Sequence, residues 1–466
     1  MLPLPPIVRE PRHWLLDSAY YAQREPLRWI PRWIAEYGDV FRIVSPLGQA
    51  VVVADPELAR QVLVDRYAKY YKKSRAYIVL RILMGNGLVT SEGEFWRGQR
   101  KLVQPAFHRR RLDAIFGMTV ERVTDCVHGL HATAQGGAVV DVAPLFSQLT
   151  LEIIARAMFS SDVQGGAVEV SRHITTLNEW ALHLIRHPWL FLLPHRFLTP
   201  LNVGPYRSLK SLNGIVHAII QTRRRQPDAH DDLLNMLLSA CDEETGRGMT
   251  DEQLRDEVMT IFVAGHETTA NAMAWLLYLA SQHPEVEARL LAEIDAHWCE
   301  PLSFESLGAF PYARQVIEES LRVYPTIWSV SRCCTENDEL GGFRIPKGMN
   351  VVVPIFHFHW SDRYWSDPQK FDPERFSPER RPPAEPMIYF PFGAGPRSCI
   401  GNHFALQELM IMTIILLRHY RFELQPGFAV EPDPLITLRP KHGMMMKFSL
   451  RRSPTPPAAS AMAAAA

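Results

Sequence analysis

The longest helical pattern in the sequence begins at Thr250 and continues to Gln282. Thr250 and Gln253 have the spacing of a capping box, and His283-Pro284 ends the pattern. A helix of this length measures about 48 Å at 1.5 Å per residue, enough to cross a whole domain. Gly265 lies near its middle, where glycine costs about 1 kcal/mol relative to alanine and suggests a functional reason. The rest of the chain must therefore pack around one long central helix.

Helical patterns dominate the chain around this helix, and strand patterns are few. β-Branched residues and a turn between Val40 and Asp55 predict a small hairpin, and Asp55-Pro56 predicts the start of a helix. We predict a fold that is mainly α with a minor β portion. No linker divides the chain, so we expect a single domain over residues 1–452. A low-complexity and disordered tail is expected at 453–466.

Charge and cysteine content bound the class of protein. Fifty basic and fifty acidic residues cancel, so the net charge indicates no nucleic-acid partner. Six cysteines include no C-x-x-C pair, and Cys333-Cys334 is typical of a strand with one thiol on each face, which indicates a reduced protein. No apolar run reaches about 18 residues. We therefore predict a soluble, cytoplasmic protein without a transmembrane anchor.

The segment from Phe392 to Gly401, with the sequence FGAGPRSCIG, carries the strongest chemical signal. Gly393 permits backbone conformations closed to other residues, so such a loop can hold a side chain rigidly. Here that side chain is the thiol of Cys399 at the start of an apolar helix, where thiolate is favoured over thiol. A thiolate is the axial ligand that haem iron needs for oxygen activation. The alternative is a glycine-rich turn with a buried structural cysteine.

This segment resembles the cysteine-ligand loop of the cytochrome P450 superfamily, F-x-x-G-x-R-x-C-x-G. The resemblance extends over nearly the whole chain and implies the cytochrome P450 fold. In that fold haem b lies between the long central helix and the helix after the cysteine loop. The residues implied to contact it are Trp96, Arg100, Ala264, Gly265, Phe392, Gly393, Arg397, Cys399 and Gly401, with Cys399 as the metal ligand and Arg397 on a propionate.

The middle of the central helix, AGHETT at residues 264–269, resembles the family's oxygen-activating segment. A threonine hydroxyl in a helix can bond to the carbonyl four residues earlier, which loosens the helix and can open a groove. Glu267 and Thr268 would then form an acid–alcohol pair that relays protons, with dioxygen as the co-substrate.

A third element pairs acidic and basic side chains three residues apart. Glu319 and Arg322 share one helix face, and Arg375 lies in a later, proline-rich segment. The resemblance implies that these three residues form a buried ion network on the thiolate side of the haem. Their role would be structural, because buried charges survive only when they are fully paired.

Two further elements concern the haem propionates. The indole of Trp96 and the guanidinium of Arg100 are four residues apart on one helix face, and both groups can donate hydrogen bonds to a carboxylate. The sequence also departs from the family. Where many members carry another propionate-binding arginine, this chain has Ser329, and Arg332 would replace it only if the strand has a different register.

The chain lacks motifs for flavin, nicotinamide or iron–sulfur binding. We therefore predict that electrons from NAD(P)H reach it through a separate ferredoxin- or flavodoxin-type protein with its reductase. A basic cluster could attract such an acidic donor, although charge runs are more often only solvated faces. Its members are Arg97, Arg100, Lys101, Arg109, Arg110 and Arg111.

The implied function is a haem-thiolate monooxygenase that inserts one oxygen atom from O2 by hydroxylation or epoxidation. Apolar segments at 76–88, 180–203 and 435–437 correspond to family pocket walls and predict a lipophilic small-molecule substrate such as a fatty acid, terpenoid or polyketide. The candidate pocket residues are Val263, Ala264, Ile327, Trp328, Ile436 and Thr437, and Trp328 could equally belong to the core.

Two other functions stay open at this stage. One is a haem-thiolate isomerase or dehydratase that acts on a peroxide, which would need no proton relay such as Glu267–Thr268. The other is a gas-sensing haem protein, which would need a signalling region that the sequence does not show.

Overall fold

The computed structural model describes residues 2–451, apart from residues 10, 12, 14–16, 46–47, 160–165, 187–198, 226–231, 242–245 and 247. In this part the chain is mainly helical with four small sheets, which confirms the predicted fold class. The tail predicted at 453–466 lies outside the described residues.

Fifteen α-helices are described. In chain order they are α1 Ser18–Arg24, α2 Pro26–Tyr37, α3 Pro56–Arg60, α4 Arg75–Met84, α5 Gly93–Val103, α6 Arg109–Gln135, α7 Val142–Phe159, α8 Gly166–Arg186, α9 Thr199–Arg225, α10 Leu233–Ser239, α11 Asp251–Gln282, α12 Pro284–His297, α13 Pro311–Val323, α14 Ile355–Trp360 and α15 Asn402–His419.

The strands form four sheets. In chain order they are β1 Val40–Ser45, β2 Gly48–Val53, β3 Tyr70–Tyr71, β4 Val139–Asp141, β5 Val330–Cys334, β6 Asp338–Leu340, β7 Phe343–Ile345, β8 Asn350–Val353, β9 Tyr420–Leu424, β10 Pro432–Pro434, β11 Leu438–Pro440 and β12 Met445–Leu450. The largest sheet has the order β1-β2-β8-β5-β3, and the others are β4-β12-β9, β10-β11 and β6-β7. Only the β2–β8 pair is parallel among the described strands.

The predicted central helix is α11. Its capping box is present, because the Thr250 hydroxyl accepts from the Gln253 N–H while the Gln253 side chain accepts from the Thr250 N–H. Most of its residues are buried, and it packs against α7, α13 and α15. A β-carbon at Gly265 would lie 3.3 Å from Ile154 on α7, so this glycine allows the two helices to pack closely.

The predicted hairpin and the helix start after it are confirmed. β1 and β2 pair antiparallel with Val40 opposite Val53, and the Asp55 side chain accepts from the Leu58 N–H at 2.9 Å. Pro56 occupies the first turn of α3, where its missing N–H costs no hydrogen bond. The hairpin forms one edge of the largest sheet, and β5 of the same sheet contributes a residue to the site described below.

One described helix, Val142–Phe159, is long and apolar enough to cross a bilayer, with a mean hydropathy of 1.3. Buried residues make up 61% of it, and it packs against α6 and α11. This is the burial expected of a core helix in a large domain.

Candidate active site

The cysteine loop has the backbone geometry that its glycines predict. Gly393 and Gly395 have φ angles of +72° and +69°, in the left-handed region that side chains disfavour. A β-carbon at Gly395 would lie 2.2 Å from the Leu63 carbonyl oxygen, so no other residue fits. The Cys399 N–H donates to the Phe392 carbonyl at 2.9 Å and closes the loop.

The Cys399 thiol is at once accessible and enclosed. Its residue is exposed, yet burial by the surrounding protein raises the pKa of the thiol. Three groups oppose this effect and lower the pKa: the Gly401 N–H that points at the sulfur, and the charges of Arg100 and Lys72. A thiol can be exposed and yet surrounded by protein if it faces an internal space. Ala264 supports this, because it is exposed in the middle of the otherwise buried helix α11.

Four basic side chains lie around the thiol loop: Lys72, Arg100, Arg332 and Arg397. Burial lowers the pKa of Lys72 well below its usual value, and the charges of Arg332 and Arg397 lower it further. Burial is also the main cause that lowers the pKa of Arg397, to about 10, with Arg332 adding to it. Glu92 opposes both shifts and forms an ion pair with Arg397. Among the described residues the cluster thus has an excess of positive charge.

This cluster fits a cofactor that carries carboxylates beside a metal. Arg397 Nη1 is buried and has no hydrogen-bond partner within the described part of the chain. Haem b offers two propionates for such donors and an iron for the Cys399 thiolate. The residues at this site therefore match the expected cofactor in charge and in ligand type.

The predicted propionate residues lie together around Arg397. The Trp96 ring is buried, and the Arg397 guanidinium lies over it at 3.8 Å from the ring centroid. Arg100 Nη1 donates to the Ser398 carbonyl at 3.1 Å, directly before the cysteine. Strand β5 places Arg332 near Lys72 and Arg397, whose pKa values its charge lowers, and its contact with a propionate stays a prediction. Lys72 and Glu92 were not predicted, since nothing local distinguishes them from surface charges.

Helix α11 continues without interruption through residues 264–269. The Thr268 hydroxyl donates to the Ala264 carbonyl at 2.8 Å, as the sequence predicts, and Thr269 donates to the Gly265 carbonyl at 3.2 Å. The expected opening of the helix into a groove is therefore not seen. Glu267 is half-buried, and both of its carboxylate oxygens accept hydrogen bonds from other elements.

The structure brings Glu319, Arg322 and Arg375 together in the core. Arg322 donates to both Glu319 oxygens at 2.7 and 2.8 Å, and neither side chain is exposed. Arg375 lies 3.5 Å from Glu319 and donates to the Asp367 carbonyl. Burial raises the pKa of Glu319, and its hydrogen bonds from Arg322 oppose that shift.

Arg322 also fastens the proline-rich segment to α13. Its Nη1 donates to the carbonyls of His359 and Pro368 at 2.8 and 2.9 Å, and its Nη2 donates to that of Lys370 at 3.1 Å. One guanidinium thus uses all of its N–H groups on a carboxylate and three backbone carbonyls. This geometry supports a structural role for the pair.

The first predicted pocket wall, 76–88, is held against α11. Asp256 accepts from the Asn86 N–H at 2.7 Å, and Glu257 accepts from the Leu88 N–H at 3.1 Å. Gly85, with φ of +66°, lies against the Asp256 carboxylate. Much of the second wall, 180–203, lies outside the described residues.

The remaining candidate pocket residues divide between cavity and core. Ala264 is exposed and Val263 half-buried on α11, whereas Ile327 and Ile436 pack at the edges of apolar clusters. The Trp328 indole donates to the Leu435 carbonyl at 2.8 Å and packs near Phe356, so it belongs to the core around the hairpin. The Thr437 hydroxyl is buried and donates to Glu267 rather than facing the pocket unpaired.

The structure changes the interpretation of the basic cluster on α5. Arg97 is ion-paired with Glu94, and Arg100 is directed towards Ser398. Lys101 is exposed, while the side chains of residues 109–111 lie outside what the structure describes. The role of this cluster in attracting an electron donor stays a prediction: Arg97 is still a surface cation beside Glu94, and Arg100 is the member that turns towards the cysteine loop.

Glu408, on α15, is a buried acid that the sequence analysis did not single out. Burial raises its pKa to about 8. Thr269 lies near enough to lower the pKa slightly, but its hydroxyl donates to Gly265, and neither Glu408 oxygen has a hydrogen-bond partner among the described residues. Burial thus favours the protonated, neutral form of this carboxyl over the carboxylate.

Replacing Glu408 by glutamine should remove a pH-dependent cost. The unfolded chain ionises Glu408 near its usual pKa, whereas the folded protein keeps the proton to about pH 8, so stability falls as the pH rises between the two values. The full cost is about 5 kcal/mol. We expect the thermal midpoint of Glu408→Gln to exceed that of the parent by an amount that increases as the pH rises from about 5 to about 8. The exposed Glu423→Gln should show no such gain, and parallel curves for Glu408→Gln would contradict the assignment.

Taken together, the mainly helical fold, the enclosed thiol and the cation cluster define a haem-thiolate protein. Known sequences and structures agree. The sequence profile of the cytochrome P450 family matches residues 10–448. The chain is 33% identical to cyclooctat-9-en-7-ol 5-monooxygenase from Streptomyces melanosporofaciens, covering 89% of this chain and 88% of that protein.

A second relative and a solved structure extend this agreement. Pentalenene oxygenase from Streptomyces avermitilis is 31% identical, over 94% of this chain and 96% of the relative. The crystal structure of the cytochrome P450DA haem domain superposes with a TM-score of 0.88 at 25% identity, over 97% of this chain and 98% of that domain. The chain belongs to the cytochrome P450 family and is a monooxygenase of that family.

Proposed function

We propose that this enzyme inserts one oxygen atom from O2 into a lipophilic organic substrate, by hydroxylation or epoxidation. In a hydroxylation, one oxygen atom enters a C–H bond and the other leaves as water, and two electrons and two protons are consumed. Haem supplies the site at which dioxygen is activated. Cys399 would hold it from one side, and Lys72, Arg100, Arg332 and Arg397 would bind its propionates.

The observation that carries this proposal is the acid–alcohol pair on α11. Glu267 and Thr268 lie three and four residues after Ala264, which faces the same internal space as Cys399 in our interpretation. A carboxyl and a hydroxyl beside that space can take protons from solvent and deliver them during oxygen activation. An isomerase or dehydratase acting on a peroxide has no use for such a relay.

The substrate is proposed to be carbon-rich and mostly apolar. Ala264 presents only apolar surface to the internal space, its neighbour Val263 is apolar and half-buried, and the wall at 76–88 carries Val79, Leu80 and Leu83. Both bacterial relatives are named for lipophilic cyclic compounds. A terpenoid is therefore our first choice, ahead of a fatty acid or polyketide.

Electrons are proposed to come from NAD(P)H through a separate ferredoxin- or flavodoxin-type protein. We expect turnover only when a donor protein, its reductase and dioxygen are all present. A library of terpenoids should be screened for compounds that shift the Soret band, and hits should be tested for oxygenated product. Rearranged product without cofactor consumption would favour the isomerase, and ligand binding without any turnover would favour the gas sensor.

Thr268→Ala should uncouple the reaction while it preserves the fold. The variant loses one hydroxyl that bonds only within its own helix, to the Ala264 carbonyl. Haem content and substrate affinity should stay unchanged, whereas product per cofactor oxidised should fall by about tenfold or more as hydrogen peroxide accumulates. The control is Thr269→Ala, whose hydroxyl bonds similarly but lies buried towards α15. Equal coupling in parent and Thr268→Ala would exclude this relay.

A further inference from the structure

Both carboxylate oxygens of Glu267 are held by side chains from other parts of the fold. Asn178 on α8 donates from Nδ2 to Oε2 at 2.9 Å. Thr437, in the turn between β10 and β11, donates from its hydroxyl to Oε1 at 2.6 Å. The Thr437 hydroxyl in turn accepts from Asn271, one turn after Glu267 on α11, at 3.2 Å. The acid is thus bound at two points by neutral donors.

The attachment through Thr437 is fastened to the core. The Trp275 indole of α11 donates to the Leu438 carbonyl at 3.0 Å, and the Leu438 N–H donates to the Thr326 carbonyl at 2.8 Å. The Trp328 indole bonds to the Leu435 carbonyl on the other side of the turn. The turn therefore cannot move without breaking several buried hydrogen bonds.

The attachment through Asn178 depends on a different element. Helix α8 packs against α4, α7 and α9, and it runs into the predicted pocket wall at 180–203. Leu177 and Ala181, on either side of Asn178 in the chain, are buried. The distance between Asn178 and Glu267 is thus set by how α8 lies against α11. A shift of α8 relative to α11 would change this spacing.

The acid and the alcohol do not bond to each other in this arrangement. The Thr268 hydroxyl donates to its own helix, while Glu267 accepts from Asn178 and Thr437. Neutral donors stabilise a carboxylate in one orientation, so they determine where its proton can be taken up and released. Loss of one donor leaves Glu267 free to rotate about the other.

We propose that Asn178 is a positioning residue for Glu267, and that it links proton delivery to the placement of the pocket-wall helix α8. The inference rests on the proposed function, since it concerns the proton relay of that reaction. It assigns Asn178 a role in coupling, separate from substrate contact.

The first test measures coupling. Asn178→Leu keeps a side chain of similar size but has no donor, so product per cofactor oxidised should fall by about tenfold, the equivalent of one hydrogen bond to a charged group. The affinity of Asn178→Leu for the substrate should equal that of the parent. Thr176→Val, on the same helix, loses only a hydroxyl that bonds to the Arg172 carbonyl and should behave as the parent. In a Glu267→Gln background Asn178→Leu should cause no further loss, because both changes act through one group.

The second test needs no turnover. Asn178→Asp places two carboxyl groups within hydrogen-bond distance, and such a pair retains one shared proton. Infrared difference spectra of resting Asn178→Asp minus parent should show an additional protonated-carboxyl band that disappears in Asn178→Asp/Glu267→Gln, whereas the contribution of Glu408 is common to all three proteins and cancels. A missing band, or an equal loss of coupling in the Glu267→Gln background, would overturn the proposal. If the band appears but the parent protein oxygenates no substrate, the contact between Asn178 and Glu267 is supported and the proposed function fails instead.

Discussion

Cys399→Ser should abolish the strongly red-shifted Soret band of the reduced, carbon-monoxide-treated protein, together with all monooxygenase activity. A serine hydroxyl is a far weaker base and ligand than a thiolate, so the characteristic electronic spectrum cannot form. The loop itself should survive, because Cys399 contributes its backbone N–H to the Phe392 carbonyl and serine keeps that bond. Absorption spectra of freshly purified protein, with haem content measured separately, are sufficient to test this.

Cys241→Ser is the matched control, since Cys241 is an exposed free thiol far along the chain from the loop. It should retain the parent spectrum and activity. A histidine-type band in the folded parent protein, or a thiolate band that persists in Cys399→Ser, would refute Cys399 as the iron ligand. The first result would also call for another ligand to be found.

Glu319→Ala should destabilise the folded protein by about 3–5 kcal/mol, because it leaves Arg322 as an uncompensated charge in the core. Glu319 and Arg322 are both fully buried and share two hydrogen bonds. The Asp372 N–H would also lose its acceptor, the Glu319 carboxylate. We expect low yields of soluble protein and poor haem incorporation, measured as the ratio of Soret to protein absorbance and as the thermal midpoint.

The neighbouring Glu318 provides the control. It pairs with Arg314 and Arg381, whose side chains are 41% and 46% exposed, so Glu318→Ala leaves cations that water can solvate. Its cost should be about 1 kcal/mol or less. A haem-loaded, fully stable Glu319→Ala protein would show that the buried pair is not required for the fold.

Local patterns in the sequence predicted the elements whose causes are themselves local. The capping box at Thr250 and Gln253 begins α11, and proline after Asp55 begins α3, because both signals act within one helical turn. The glycines of the cysteine loop have the left-handed backbone that only their missing side chains allow. The resemblance carried by these motifs led to the family and to Cys399.

The partners of the charged side chains could not be predicted from the sequence. The sequence placed Arg97 and Arg100 in one basic cluster, and Arg100 also on the helix face of Trp96, but it showed neither the Glu94 partner of Arg97 nor the Ser398 carbonyl that Arg100 contacts. Which way a charged side chain faces depends on the packing of its helix. The burial of Lys72 could not be predicted for the same reason. Its neighbours in the chain give no signal, and the groups around it, Arg332 on β5 and the cysteine loop, are distant in sequence.

The sequence by itself determined the long central helix, the thiol in its glycine loop, and the acid and alcohol side by side on α11, since each is written in consecutive residues. Only the tertiary structure decided what surrounds them. Asn178 and Thr437 are 89 and 170 residues from Glu267, yet both bind its carboxylate. Such contacts arise when helices and turns pack into one core, and no local pattern encodes them.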